Sequence, residues 1–238
     1  FLSLILVFVL SMTTQYAHAQ SPYTAYQEAY ALKKEGKVIR AGRAFDQALA
    51  LAKKKKNIKL QMKCHQQLAE LNDNVVQYKK AIEHLNKSIE INDKFGLAYA
   101  NRANSYNQLD EYEEAISNAE KAIELAPKLE WAYAIKGNVL TKQGNFINAQ
   151  KILSQAIELN PNYSTAYQWY AEYLIAMGRF AEADAIIKKV IALDPLSPII
   201  GTLSVGYFFT VDKCTKAIDE ANKVIEINPD FGLVYGFQ

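Results

Sequence analysis

Cysteine, proline and glycine are all scarce in this chain of 238 residues, which contains two, six and ten of them respectively. Two cysteines cannot build a disulfide framework, so the fold must be held together by packing. The low proline and glycine contents exclude a collagen-like or linker-rich chain. Because half of the residues are apolar and only 22% are charged, intrinsic disorder is excluded as well. We therefore expect one elongated folded body.

Long apolar runs are also rare, and the longest one lies at the start of the sequence. Phe1–Met12 is almost entirely apolar, and Ala17-His18-Ala19 follows it as an A-x-A cleavage pattern. This run is shorter than the roughly 20 residues that a membrane-spanning helix needs. We interpret residues 1–19 as a signal peptide with a truncated n-region, because neither Met nor a basic residue precedes it. We expect a periplasmic or secreted product that contacts a membrane only through this peptide.

Catalytic signatures are missing from the sequence. It contains no phosphate-binding loop, nucleophile elbow or dinucleotide-binding glycine motif. Cys64, His65 and His84 are the nearest approach to a metal site, but their spacing matches no metal-binding pattern. A packed or hydrogen-bonded His65 is the favoured interpretation. The prediction is therefore a non-enzymatic protein without catalytic residues, metal, cofactor or small-molecule substrate.

Acidic residues are few in the first third of the chain. Residues 20–80 contain 13 basic and 5 acidic residues, a balance of +8, whereas residues 81–238 contain 14 and 20, a balance of −6. The run Lys53–Lys56 adds to this basic character. It could contact acidic lipid or nucleic acid, but a solvated helix end is the favoured interpretation. A nucleic-acid partner is not expected.

The sequence does contain five copies of a short motif, such as IEINP at its last occurrence, at intervals of 34 residues. The copies end at Asp93, Pro127, Pro161, Pro195 and Pro229. A fixed period of 34 residues in an Ala-, Leu- and Tyr-rich helical pattern indicates stacked helix-turn-helix units. Function would then lie on a surface rather than in a cleft.

Alignment of the copies divides residues 20–238 into six units and the start of a seventh. The units span 22–61, 62–95, 96–129, 130–163, 164–197 and 198–231, and the seventh begins at 232–238. The first is six residues longer than the period, so we expect its second helix to continue through the lysines. The second unit has His65 and Asn72 at apolar positions, which predicts weaker packing there.

Small residues recur at fixed positions of the units. Position 20 is alanine in all six units, and position 8 is small in nearly all of them, which allows two antiparallel helices to approach closely. Position 15 is glycine in three units, which predicts a turn between the helices. Position 17 is an apolar residue at the start of each second helix. In the sixth unit it is Cys214, which we expect to be a small buried side chain. The alanines are Ala41, Ala81, Ala115, Ala149, Ala183 and Ala217.

These positions resemble those of the tetratricopeptide repeat family. The resemblance covers residues 22–238 and includes Tyr99 with Ala103, Tyr133 with Gly137, the alanine at position 20 and the proline at position 32. It implies an all-α fold, namely an α-solenoid of antiparallel helix pairs wound into a right-handed superhelix. It also implies a protein-protein interaction scaffold.

A stripe on the first helix of each unit, opposite the core seam, is the candidate binding surface. The resemblance implies that this stripe lines the concave wall of the superhelix. Tryptophan and tyrosine are favoured at interfaces, and asparagine can pair with a ligand backbone. The alternative is that these aromatics only fill gaps between neighbouring first helices. The candidate partner-binding residues are Tyr26, Tyr30, Asn101, Asn104, Trp131, Asn138, Trp169 and Glu172.

The leading hypothesis is an exported scaffold that binds a protein or an extended peptide along this wall. The clamp of lysine, asparagine and arginine that some family members use for chaperone tails is not matched, since Tyr26 and Ala100 occupy position 5. An alternative is a sensory or docking arm of a larger enzyme or regulator, with the effector domain beyond residue 238.

Overall fold

The computed structural model describes residues 21–227, and this part of the chain is helical throughout, without a strand. The predicted all-α fold class is therefore confirmed. Ser21 caps the first helix by accepting a hydrogen bond from the Thr24 backbone N–H at 3.0 Å, and Pro22 follows at the first helical position. The helices are α1 Pro22–Lys34, α2 Val38–Lys54, α3 Ile58–Asn74, α4 Tyr78–Ile91, α5 Gly96–Gln108, α6 Tyr112–Leu125, α7 Glu130–Lys142, α8 Phe146–Leu159, α9 Ser164–Ala176, α10 Phe180–Leu193, α11 Pro198–Thr210 and α12 Cys214–Ile227.

The helices form two compact bodies, and the boundary between them falls within α5, after Asn101. In the first body, α1 packs on α2, α2 on α3 and α3 on α4, and the first helices α1 and α3 also touch. In the second body, each helix from α6 to α12 packs on the next one along the chain. The first helices α7, α9 and α11 again contact their neighbours. Each body is thus a solenoid of stacked helix pairs.

The alanine seam lies where the two helices of a pair meet. All six alanines at position 20 are buried, and none is more than 4% exposed. Gly137 shows how close the helices come, because a Cβ built on it would lie 2.5 Å from Cγ of Leu153. Small residues at these positions therefore set the distance between paired helices, as the sequence predicted.

Each turn within a pair has one residue in the left-handed region, and so does the turn between α2 and α3. At Gly36, for example, φ is +73°, its N–H donates to Lys33 O, and the N–H of Lys37 donates to Leu32 O. These two bonds form a Schellman motif, which satisfies the last carbonyls of the helix. The same φ recurs at residues that are not glycine, which the sequence did not indicate. Within residues 21–227, the residues with positive φ are Gly36, Lys56, Val76, Asp110, Gly144, Gly178 and Asp212.

The six extra residues of the first unit are shared between two helices. Both α2 and α3 have 17 residues, whereas the later first helices have 13 and the later second helices 14. Helix α2 does continue through Lys53 and Lys54, but α3 begins at Ile58, ahead of Met62. The insertion therefore lengthens two consecutive helices that pack on each other, α2 and α3, rather than the end of α2 alone.

The expectation of a buried Cys214 is wrong. Cys214 is exposed, and Phe180 at the same position of the preceding unit is 37% exposed. Both are the first residue of a second helix, where the turn beside them leaves one flank open. Cys64, in contrast, is buried, and both cysteines are free thiols. No helix within residues 21–227 combines the length and apolar character needed to cross a bilayer.

Candidate partner-binding site

Two tryptophans stack on each other in the second body. Trp131 near the start of α7 lies over Trp169 of α9, with 5.3 Å between ring centroids and 22° between planes. Tyr163 meets Trp131 edge-on at 6.4 Å. Trp169 is only 8% exposed, whereas Trp131 is partly exposed. Trp169 therefore fills the space between the two first helices, and Trp131 is the tryptophan that offers surface to a partner.

Polar side chains of α5, α7 and α9 form a hydrogen-bonded relay. Nδ2 of Asn107 donates to Oδ1 of Asn138 at 2.9 Å, and Nδ2 of Asn138 donates to Oε2 of Glu172 at 3.5 Å. Nε2 of Gln168 donates to Oε1 of Glu172 at 3.0 Å. Asn107 and Asn138 are buried. The asparagine amides donate in the direction of α9, so the relay ends on the Glu172 carboxylate.

Glu172 is a desolvated carboxylate. Burial raises its pKa, while the hydrogen bond from Gln168 and the positive charge of Lys142 act in the opposite direction. Lys142 is engaged elsewhere, since its Nζ lies 3.7 Å from Asp110 and donates to the Asn107 carbonyl at 3.3 Å. Within residues 21–227, Glu172 has no ion-pair partner. Its hydrogen-bond donors are the side-chain amides of Gln168 and Asn138.

In the first body, the two predicted tyrosines have different surroundings. Tyr26 packs on the core, with its ring edge-on to Phe45 at 5.5 Å, and burial raises its pKa to about 12. Tyr30 stacks on Tyr26 at 6.4 Å and is 40% exposed. Nζ of Lys34 lies 5.3 Å from the Tyr30 ring centroid. Tyr30 is therefore the available surface of this pair, and Tyr26 is mainly a core residue.

The remaining predicted residues, Asn101 and Asn104, lie on α5 on opposite sides of the boundary between the bodies. Both are partly buried. In the described part of the chain, no hydrogen bond joins Asn104 to the relay on α7 and α9. The structure thus brings together Trp131 with Trp169 and Asn138 with Glu172, whereas Asn104 takes no part in the relay.

Sequence reasoning missed three contributors to this site: Asn107, Tyr163 and Gln168. Asn107 falls outside the predicted stripe, yet it is fully buried. A buried amide requires a hydrogen-bond partner, and Asn138 on the next first helix is that partner. An asparagine at a core position followed by another about one repeat later was the available signal.

A separate cavity of about 540 Å³ lies among α6, α7 and α8. Its apolar lining includes Ile116, Ile123 and Ile152, and Tyr133 of α7 contributes an aromatic ring. None of the predicted binding residues lines it. Helix α7 thus presents Trp131 to one surface and Tyr133 to another.

The histidines considered for a metal site form a pair in the first body. Nδ1 of His65 lies 3.1 Å from Nδ1 of His84, and His65 is 7% exposed, as expected for a packed, hydrogen-bonded histidine. Burial and the neighbouring His84 lower the pKa of His65 to about 4, and burial also lowers the pKa of His84. Within residues 21–227, no three potential ligands cluster well enough to hold a metal ion.

Comparisons with known proteins agree with this architecture. The tetratricopeptide repeat family matches residues 140–203 and residues 96–129, whereas no curated protein matches the chain in sequence. A thermophilic TPR protein of Thermus thermophilus superposes with a TM-score of 0.70 at 18% identity, over 74% of this chain and 96% of that chain.

Two further solved structures share the fold. A tetratricopeptide repeat protein of Parabacteroides merdae has a TM-score of 0.64 at 18% identity, over 92% of this chain and 84% of that one. The type IV pilus biogenesis factor PilW has a TM-score of 0.68 at 18% identity, over 92% of this chain and 98% of that one. The stacked helix pairs and the matches at residues 96–129 and 140–203 show that this chain contains tetratricopeptide repeats, and such repeats support a role as a protein-interaction scaffold.

Proposed function

We propose that this protein is a non-enzymatic scaffold that binds a protein segment or an extended peptide on the first-helix face of its second body. We define that face by Trp131, Asn138, Trp169 and Glu172 on α7 and α9. The observation that carries the proposal is the Trp131 and Trp169 stack beside the polar relay that ends at Glu172. We also propose that the protein acts outside the cytoplasm, on the pattern of residues 1–19, which lie outside the described residues. Mature protein beginning at Gln20 would support this location.

The face has the composition that binding sites for peptides use. Trp131 offers a large rigid surface that is already held in place by Trp169 and Tyr163, so binding it orders few additional groups. Glu172 supplies a carboxylate further along α9, and the buried Asn138 holds it in place by donating a hydrogen bond to it. An apolar anchor next to a few fixed polar groups gives a partner both affinity and register.

Substitution of Trp131 is the test of this face. Trp131→Ala removes the partly exposed ring that covers Trp169, whereas Trp169→Ala would open a cavity and confuse binding with stability. The probe is a displayed library of random peptides about four turns of helix in length, from which binders to the natural protein are selected. We expect Trp131→Ala to weaken the selected peptides by about tenfold or more, since tryptophan anchors contribute about 2 kcal/mol or more.

Tyr133→Ala is the matched control, because Tyr133 lies on the same helix but lines the cavity among α6, α7 and α8. Affinity unchanged in this variant is expected. If Trp131→Ala binds the selected peptides as tightly as the natural protein, or if only Tyr133→Ala weakens them, the assignment to the first-helix face is wrong.

A further inference from the structure

We propose that the first-helix face selects a basic side chain of the bound segment, a lysine or an arginine, with its cationic group at Glu172 and its aliphatic stem against Trp131. This inference rests on the proposed function and adds the charge of the ligand to it. The relevant observations are the direction of the polar relay, the lack of an ion pair at its end within the described residues and the position of the tryptophans next to it.

Both asparagines of the relay donate toward α9, so the last group of the relay, the Glu172 carboxylate, is an acceptor. Asn107 donates to Asn138, and Asn138 donates to Glu172. Oδ1 of Asn107 is buried without a partner in the described part of the chain, so no donor enters the relay from its far end. A carboxylate has about four lone-pair sites, and Glu172 uses one for Asn138 and one for Gln168. Its remaining sites can accept hydrogen bonds from a ligand.

Charge complementarity decides which ligand group belongs there. A partly buried carboxylate without a paired cation is costly, and Glu172 is in that condition because the nearby Lys142 is engaged with Asp110 and the Asn107 carbonyl. A lysine ammonium or arginine guanidinium from a partner would supply both the missing charge and the missing donors. An acidic group at the same place would instead be repelled by Glu172.

The tryptophans extend the site in the way a long basic side chain requires. Trp169 and Glu172 are three residues apart on α9, so they are neighbours on one helix face, and Trp131 covers Trp169. A lysine or arginine stem can pack on the partly exposed indole of Trp131 while its charged head reaches the carboxylate. The ring face of tryptophan also attracts cations. One side chain can thus use both parts of the face.

The test compares peptides selected by the natural protein with those selected by Glu172→Gln. The glutamine keeps the size of the side chain and removes its charge. We expect lysine and arginine to be enriched among peptides selected by the natural protein and not by Glu172→Gln. For a selected peptide, Glu172→Gln should weaken binding about tenfold, and replacing the peptide's basic residue with norleucine should weaken binding to the natural protein about as much.

The control is Glu158→Gln, which makes the same change in charge at an exposed glutamate on the second helix α8. It should leave both the affinity and the lysine and arginine enrichment unchanged. Selected peptides that depend on Trp131 but show no basic enrichment would overturn this inference and leave the proposed function intact. A library that yields no binders dependent on Trp131 would overturn the proposed function itself.

Thermal melts of the free protein separate this role from a structural one. If Glu172 serves a ligand, the neutral Glu172→Gln side chain should leave the melting temperature unchanged or raise it, because no unpaired charge is then desolvated. A clear fall in melting temperature together with an equal loss of binding for basic and norleucine peptides would show that Glu172 acts only in folding.

Discussion

Single residues set the distance between the paired helices of this protein. The alanine at position 20 is buried in every unit, and in the pair α7 and α8 Gly137 of α7 faces Leu153 of α8. A Cβ at Gly137 would lie 2.5 Å from Cγ and 3.3 Å from the backbone nitrogen of Leu153. Leu153 is itself fully buried. Because a backbone atom is among the close contacts, rotation of the leucine alone cannot make room.

Gly137→Ala should therefore destabilise the protein even though alanine is the better helix former. We expect a loss of about 1 to 3 kcal/mol from overpacking, which outweighs a gain in helix propensity of up to about 1 kcal/mol. Chemical denaturation followed by circular dichroism measures the difference. Gly206→Ala in α11 is the control, because a Cβ there meets nothing within 4 Å, and it should stabilise. Equal effects of the two variants would contradict the close approach at Gly137.

The sequence predicted the roles of single residues best at positions where the same residue type recurs in many units. Alanine at position 20 and glycine at position 15 recur at a fixed spacing, so their roles follow from the period. The sequence was less informative where a residue departs from the repeat. The exposure of Cys214 depends on how its turn is placed, and the burial of Trp169 depends on Trp131 stacking over it. Such arrangements depend on how separate segments pack, which a single-sequence pattern does not show.

At the scale of elements, the turns use one backbone geometry whether or not glycine is present. Val76 has φ of +61°, its N–H donates to Asp73 O, and the N–H of Gln77 donates to Asn72 O. This matches the Schellman motif at Gly36. The left-handed region costs roughly 1 to 2 kcal/mol for residues with a Cβ, and β-branched residues are the least suited to it. The packing of α3 and α4 therefore imposes this conformation on Val76.

Val76→Gly should stabilise the protein by about 1 kcal/mol, because relief of the backbone strain exceeds the greater freedom that glycine has in the unfolded chain. Val76 is 69% exposed, so little packing is lost. The reverse change, Gly178→Val, has open space around it and φ of +68°, and it should destabilise. Denaturation midpoints of both variants test the pair. If Val76→Gly is less stable than the natural protein, the valine side chain stabilises the fold by more than its left-handed backbone conformation costs.

The lengths of the elements show how far a periodic pattern can be read. The period predicted regular helix-turn-helix units, and the later pairs have helices of 13 and 14 residues, with glycine in several turns and proline after the second helix. For the six additional residues of the first unit, the period showed only that they lie between Ala41 and Ala81. Their division between α2 and α3 is set by packing, since Ala48, Ala52 and Leu60 are buried in one cluster that joins both helices. Asn57 marks the start of α3 as its N-cap, since its side-chain oxygen accepts a hydrogen bond from the Leu60 backbone N–H at 3.0 Å.

At the scale of the whole molecule, the two bodies carry ionisable groups that respond to acid in opposite directions. In the first body, burial lowers the pKa of His65 to about 4 and also lowers the pKa of His84. In the second body, burial raises the pKa of Glu172. A group with a lowered pKa binds protons more readily in the unfolded chain, whereas a group with a raised pKa binds them more readily when folded.

Lowering the pH from about 7 to about 5 should therefore destabilise the first body without a matching loss around Glu172. The unfolded histidine titrates near 6.5, so the stability that neutral His65 provides is complete above that value and is lost as the pH falls toward 4. At a pH of about 5 the expected loss in the free energy of opening is about 2 kcal/mol for α3 and α4. For Glu172 the sign is opposite, since protonation favours its folded state, and α9 should hold or gain stability.

Hydrogen exchange followed by mass spectrometry, corrected for the intrinsic pH dependence of exchange, resolves these two segments in one intact protein. The control is His65→Gln, which removes the buried imidazole that must accept a proton. It should reduce the acid-induced loss in α3 and α4 and leave α9 unaffected. Equal opening free energies of α3 and α4 at both pH values would show that the buried histidine pair accepts protons as readily as the unfolded chain does.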